Sequence, residues 1–375
     1  MDLLNHSNVE TRLSELERLM KTASFTSSPE NVNNHIHTTY SFSPYSPTKA
    51  IYKACESGLV TAGIMDHDSV SGCEEFIKAG EIASLPTTIG FETRVDFSDT
   101  SLNGRRINNP DQNSVAYVTV HAIPHRNIKK ADAFLAPYRE KRNIRNRKMT
   151  ARLSEITGIE LDFDRDIYPI SNAREGGSIT ERHILYALSL KIVESGENVV
   201  SFLKDKLSIN APERLIPLLE DRENPHIAYD LLGVLKSELV KDFYIPATDE
   251  CPKAKELIKF AADINAISAY AYLGDVGVSV TGDKKAQKFE DDYLPELFDV
   301  IKELGFNAVT YMPSRNTLEQ CHRLKKFCKE NGFMEISGED INSPRQKFIC
   351  DSLKLPEFSN LIDSTWELIR HEKEN

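Results

Sequence analysis

Residues 33–72 read NNHIHTTYSFSPYSPTKAIYKACESGLVTAGIMDHDSVSG, and the reading of this stretch decides the fold. His35 and His37 flank a single isoleucine. On an extended strand both imidazoles therefore share one face, because side chains there repeat every second residue. Such a face is either a wet edge or the start of a metal site. Downstream, Ser46 precedes Pro47 and Gly58 closes the next amphipathic run, the start and stop signals of a helix. The apolar run LVTAGIM then ends in Asp66-His67-Asp68, a short buried strand with polar groups at its tip. Asp68 is expected to cap a helix beginning near Ser69, with His67 facing the site.

Working outward, SVSGCEEFIKAGEIA reads as a second helix, TTIGFETRVDF as a third strand and VAYVTVHAI (115–123) as a fourth. Strands alternating with helices predict parallel pairing with the helices outside. Residues 8–22 alternate leucine and charge at helical spacing, an amphipathic leader helix within 1–28. From about 129 the pattern changes to a long basic helical segment and then further helical runs up to 244, without a convincing strand. The β/α alternation resumes with CPKAKELIKFAADI, AISAYAYL, LPELFDVIKELG, NAVTYM, TLEQCHRLKKFCKENG and FMEIS. Residues 29–128 and 245–375 are thus expected to close into one barrel-like α/β body, split by a helical insertion over 129–244.

A chain of 375 residues with 40% hydrophobic and 27% charged side chains is globular rather than disordered. A net charge of -11 argues against a nucleic-acid polymer as partner, which needs a basic stripe. It leaves room for a small anionic substrate, since a metal can outweigh the global field locally. The six cysteines form no CxxC pair, and no apolar run approaches membrane-spanning length or resembles a signal peptide. A cytoplasmic protein with no membrane partner is the expectation. Nothing specifies an oligomeric state.

Ten histidines in 375 residues give roughly 0.3 HxH pairs by chance, so position has to carry the argument. His35, His37, Asp66, His67, Glu92, His121 and Asp340 all fall at or just past predicted strand ends. In a parallel β/α body these ends converge on one rim, where such folds place chemistry. Imidazole with carboxylate and no thiolate suits Zn, Mn or Fe, and a water activated there serves hydrolysis. GDVGVSVTGDKK (274–285) lacks phosphate-loop spacing and reads as a loop over the site.

The motifs HIHTTYS, MDHDSVSG and GFE, in this order, resemble those that open the PHP (polymerase and histidinol phosphatase) domain family. RNIRNRKMTARLSEITGIELDF, TERHILYAL, YIPATDECPKAKELIKF and SGEDIN resemble a subgroup with a helical insertion that hydrolyses small phosphoesters. The resemblance covers about residues 30–345 and implies a distorted (β/α)7-type barrel. It places His35, His37, Glu92 and Asp340 around a first divalent ion, His121 with Glu92 on a neighbouring one, and His67 at a further position. Arg182 and His183 of the insertion would hold the substrate phosphate, a role that suits the planar fork of arginine.

Three positions depart from the family pattern. Phe42 stands where a ligand follows HxH, Tyr272 replaces the histidine of an Ala-His-Pro strand end, and Asn342 replaces that of Asp-x-His. Asp66, Asn342, Tyr272 and Asp275 are read as substitute ligands or as support around the ions, with one well-formed metal site and up to two weaker ones. Two functions follow: a metal-dependent phosphoesterase acting on a small phosphorylated substrate, nucleotide-type included, or a degenerate relative that binds metal or a phosphorylated ligand without turnover.

Overall fold

The computed structural model describes residues 2–276 and 287–375. Seven strands follow one another around a single sheet: β1 (Val32–Ile36), β2 (Thr61–His67), β3 (Thr87–Asp96), β4 (Val115–His121), β5 (Ile267–Ala271), β6 (Ala308–Tyr311) and β7 (Met334–Ser337). The sheet curls until its edges meet. His37 N–H donates to the Ile341 carbonyl (2.9 Å) and Ile341 N–H to the His35 carbonyl (3.1 Å), nearly closing an α/β barrel. Gly338 allows this approach: a Cβ there would lie 2.6 Å from the His35 Cβ and 2.8 Å from its backbone nitrogen.

The flanking helices are α1 (Val9–Met20), α2 (Pro47–Glu56) and α3 (Cys73–Ala83) before the insertion. Ser46 caps α2 by accepting from Lys49 N–H, with Pro47 at the first helical position as expected. Between β4 and β5 lie α4 (Ile128–Thr157), α5 (Glu181–Glu194), α6 (Val199–Leu207), α7 (Ile216–Glu220) and α8 (Ile227–Phe243). Their apolar faces build a second core, separate from that of the barrel. The barrel is completed by α9 (Ala254–Asp263), α10 (Leu294–Leu304), α11 (Leu318–Asn331) and α12 (Ser359–Glu374). The last helix is tied to the barrel by Glu372, which accepts from Thr88 Oγ1 (2.9 Å) and Ile89 N–H (2.8 Å).

One expectation of the sheet fails. The strand β4 runs antiparallel to both neighbours, pairing Gly90 with His121 on one side and His121 with Ile267 on the other. A parallel strand needs a crossover helix before it, whereas only turns and irregular chain join β3 to β4 (residues 97–114). The cap expected at Asp68 is also absent. Asp68 adopts φ 50°, and α3 starts only at Cys73 behind Gly72.

Asp68 instead enters a buried ion-pair network that seats the helical cap on the barrel. Its carboxylate meets Arg142 of α4 and accepts from Thr93 Oγ1 of β3. Arg94 of β3, with Arg142 and Arg145 of α4, faces Glu181 at the start of α5 and Glu250. Arg145 Nε holds both Glu250 oxygens at 2.9 and 2.8 Å. Charges this deep persist only when paired and hydrogen-bonded. Burial disfavours ionisation of Glu181, yet Arg94, Arg145 and Arg142 together hold its carboxyl well below the usual carboxylate range.

Two outcomes follow from this architecture. Gly338→Ala should lower unfolding free energy by about 2 kcal/mol, since backbone rather than a flexible side chain must yield, as read by urea titration. Arg142→Ala leaves Asp68 buried without its partner and should cost about 3–5 kcal/mol. Preferential loss of hydrogen-exchange protection in the cap would accompany it.

Candidate metal centre and cavity

The backbone geometry of β1 brings His35 and His37 to the barrel mouth, and the register of β2 and β3 sets His67 directly beside Glu92. The residue after β7 plus two, Asp340, arrives from the closing edge. His35 Nε2 and His37 Nε2 lie 3.7 and 3.9 Å from Glu92 Oε2. His67 Nδ1 is 3.1 Å from the same oxygen, and His37 Nε2 is 3.1 Å from Asp340 Oδ1. Ligand atoms of His35, His37 and Glu92 all fall within 4.8 Å of one another.

Both Nε2 atoms are buried without a hydrogen-bond partner; the close approach to Asp340 does not meet hydrogen-bond geometry. Two buried lone pairs left unmade are costly. Ligand atoms about 2.0–2.1 Å from a tetrahedral zinc stand roughly 3.3 Å from one another, so separations of 3.7 and 3.9 Å are within a small side-chain adjustment of one divalent cation. Burial acts to lower the pKa of His35, but Glu92, Asp340 and Asp66 outweigh it and the net shift is upward. Asp340 is held well below the usual carboxylate range: burial opposes this, and His37, His35 and Arg182 prevail. Burial, with the charges of His37 and Arg142, keeps His67 well below the ordinary imidazole value.

Asp66 supports the centre without entering it. Its buried carboxylate accepts from Thr38 N–H (2.6 Å), Thr38 Oγ1 (2.5 Å) and Ser41 Oγ (2.6 Å). Ser41 Oγ also lies 3.3 Å from His37 Nδ1. The single hydroxyl proton of Ser41 goes to Asp66, so its oxygen accepts from Nδ1–H, which leaves the His37 Nε2 lone pair toward the centre. Such outer hydrogen bonds fix the tautomer and orientation of a ligating histidine.

Several expected ligands stand elsewhere. His121 is turned inward opposite Gly90, two residues deeper along β3 than Glu92, with neither ring nitrogen hydrogen-bonded. Burial and the charge of His35 push its pKa down to about 3. Because β4 is antiparallel, its C-terminal end points away from the rim; its approach segment and Tyr117 reach the rim instead. Tyr272 donates its hydroxyl to Asp291 Oδ1 (2.6 Å). Asp275 Oδ1 accepts from Phe289 N–H (2.7 Å), outside the group. Asn342 donates to Asp340 Oδ1 (2.6 Å) and accepts from Arg182 Nη1 (2.7 Å), an intermediary rather than a ligand.

His183 does not reach the cavity. Its Nδ1 accepts from Thr180 N–H (3.0 Å) in a capping box for α5, and its ring meets Phe42 edge-to-face at 5.0 Å. Burial, with Arg142, pushes its pKa to about 3. Phe42 itself belongs to the cap core, contacting Tyr186 and Tyr229. Residues 277–285 of the loop expected over the site lie outside the described residues.

A cavity of about 650 Å³ opens above the centre. His35, His67, Glu92 and Asp340 line its floor; Arg106, Arg182, Lys236, Lys241 and Arg315 supply five cations against Glu92, Asp111 and Asp340. In a chain of net charge -11 this concentration of positive charge is local. Of these only Arg182 carried a sequence signal. Arg106 and Arg315 sit in loops next to β4 and β6, a placement visible once β4 is known to be reversed; Lys236 and Lys241 look like ordinary solvated helix positions.

A PHP domain family model matches residues 33–306, so the chain belongs to the PHP domain family. Two solved structures share its fold. A protein assigned as a metal-dependent phosphoesterase from Bifidobacterium adolescentis is 18% identical, covering 91% of this chain and 96% of its own, with a TM-score of 0.59. An amidohydrolase from Chromobacterium violaceum, solved with bound sulfate and no metal, is also 18% identical, covering 85% and 89%, with a TM-score of 0.58. No curated protein matches the chain. Among the described residues no helix is long and apolar enough to cross a membrane.

Replacing Asp66 by Asn should weaken divalent-metal affinity about 10- to 100-fold, the range for outer-shell partners. Competition against a chromogenic chelator would measure it, with Ser41→Ala changing affinity in the same direction.

Proposed function

We propose that this PHP-domain protein is a metal-dependent hydrolase of small phosphoesters. The observation that carries the reading is the pair of buried, unpartnered His35 and His37 Nε2 atoms converging with Glu92 and Asp340. They sit beneath a cavity rich in cations. When bound, a divalent ion such as Zn, Mn or Fe supplies a Lewis acid that activates water and polarises a phosphoryl oxygen at neutral pH.

The residues of the chain do the rest. Arg182 presents its planar guanidinium to the phosphoryl oxygens. Arg106, Lys236, Lys241 and Arg315 draw an anion into the mouth, where low-dielectric walls strengthen the attraction. The ring of His67, kept uncharged by its surroundings, orients Glu92 through the 3.1 Å contact. Cavity size favours a small ester over a polymer. A cytoplasmic setting suits the six free, buried cysteines.

A second reading, binding of a phosphorylated ligand without turnover, draws on Phe42, Tyr272 and Asn342, which stand where the family pattern has ligands. The two separate in one experiment. Purified protein supplied with manganese should hydrolyse p-nitrophenyl phosphate or a member of a phosphoester panel. His35→Ala or Asp340→Asn should lower kcat at least about 100-fold with unchanged circular dichroism. A folded, metal-loaded protein that binds phosphate and turns over no member of the panel supports the second reading.

A further inference from the structure

Resting on the metal-dependent reading, we infer that the centre holds one divalent ion and that Arg182, locked through Asn342, supplies the second positive charge facing the substrate phosphoryl group. A neighbouring ion would find His67 beside Glu92 but no third ligand grouped with that pair among the described residues. The Tyr272 hydroxyl donates to Asp291, and Asp275 turns one carboxylate oxygen to the Phe289 amide. His121 lies deeper, opposite Gly90, and Phe42 is part of the cap core. Among the described residues, His35, His37 and Glu92 form the one group of three or more ligand types close enough to share a cation.

Asn342 is engaged at both ends. Its Nδ2 donates to Asp340 Oδ1 and its Oδ1 accepts from Arg182 Nη1, at 2.6 and 2.7 Å. An amide in this arrangement joins a ligating carboxylate to a guanidinium, where an imidazole would offer a lone pair to a further ion. The guanidinium then repels a second dication and provides its charge in a directional form.

The neighbours of Arg182 show why it is held firmly enough for this. Glu181 on one side is half-buried among Arg94, Arg142 and Arg145, and His183 on the other closes the α5 capping box against Phe42. The first turn of the helix is therefore pinned on both flanks, and donors fixed before the substrate arrives are worth more than donors that must reorganise. The buried network and the displaced His183, neither of which touches the cavity, acquire a purpose as positioning elements for Arg182.

The test counts ions and measures phosphate binding, so it does not require turnover. Protein reconstituted with excess manganese or zinc, then stripped of loosely held metal by gel filtration, should contain one equivalent by elemental analysis and titrate with unit stoichiometry in calorimetry. Arg182→Ala should keep that one equivalent, remain folded by circular dichroism, and bind inorganic phosphate at least 10-fold more weakly. Two or more tightly held ions in the natural protein overturn the inference alone, as does unchanged phosphate affinity in Arg182→Ala. Zero ions overturn the metal-dependent reading beneath it.

Discussion

The Asp66 carboxylate, buried at the tip of β2, is the constraint on which the centre depends. Three donors from the turn after β1 converge on it, and one of them, Ser41, passes the orientation on to His37. A buried carboxylate needs those donors as much as the turn needs an acceptor. The consequence is a β1–β2 edge whose histidine ring is oriented by the turn, with its Nε2 directed at Glu92 and Asp340. The hydrogen bonds that orient His37 thus run through Ser41 and Asp66, away from the side that faces Glu92 and Asp340.

A second constraint works from above. The insertion has its own apolar core, yet its junction with the barrel is ionic. Arginines from β3 and α4 interleave with Asp68, Glu181 and Glu250, so the cap is registered against the strand tips by directional contacts rather than by apolar area alone. Removal of Arg142 would strand the buried Asp68 carboxylate, which makes the arrangement specific even where its net stabilisation is modest. Phe42 adds the apolar counterpart: the chain leaving the histidine strand inserts a ring into the cap between His183, Tyr186 and Tyr229. Metal floor and cationic ceiling are thus coupled through a few residues around Asp68 and Phe42.

Much of this was legible along the chain because it is local. The HxH pair, the Ser46–Pro47 helix start, the Asp66-His67-Asp68 tip and Glu92 are short patterns whose geometry follows from strand and helix periodicity. The seven strands and the switch to helices near 129 follow from the same periodicities. What stayed hidden depends on partners far away in sequence. Arg142 and Arg145 read as part of a basic solvated helix, since burial of a charge is visible only with its acid partner beside it. Asp68 offered a plausible cap but found Arg142 instead, and Asn342 has no sequence mark that pairs it with Arg182, 160 residues away.

The sequence alone therefore determined the family resemblance, through the motifs HIHTTYS, MDHDSVSG and GFE, and the order of strands and helices with the candidate ligands at strand ends, through period-two and period-3.6 patterns. Tertiary structure decided the direction of β4, and with it that His121 sinks into the barrel while Arg106 and Tyr117 reach the rim. It also decided which polar groups remain unpaired. The engagement of Tyr272 with Asp291, of Asp275 with the Phe289 amide and of Asn342 with Asp340 and Arg182 is a property of the folded neighbourhood.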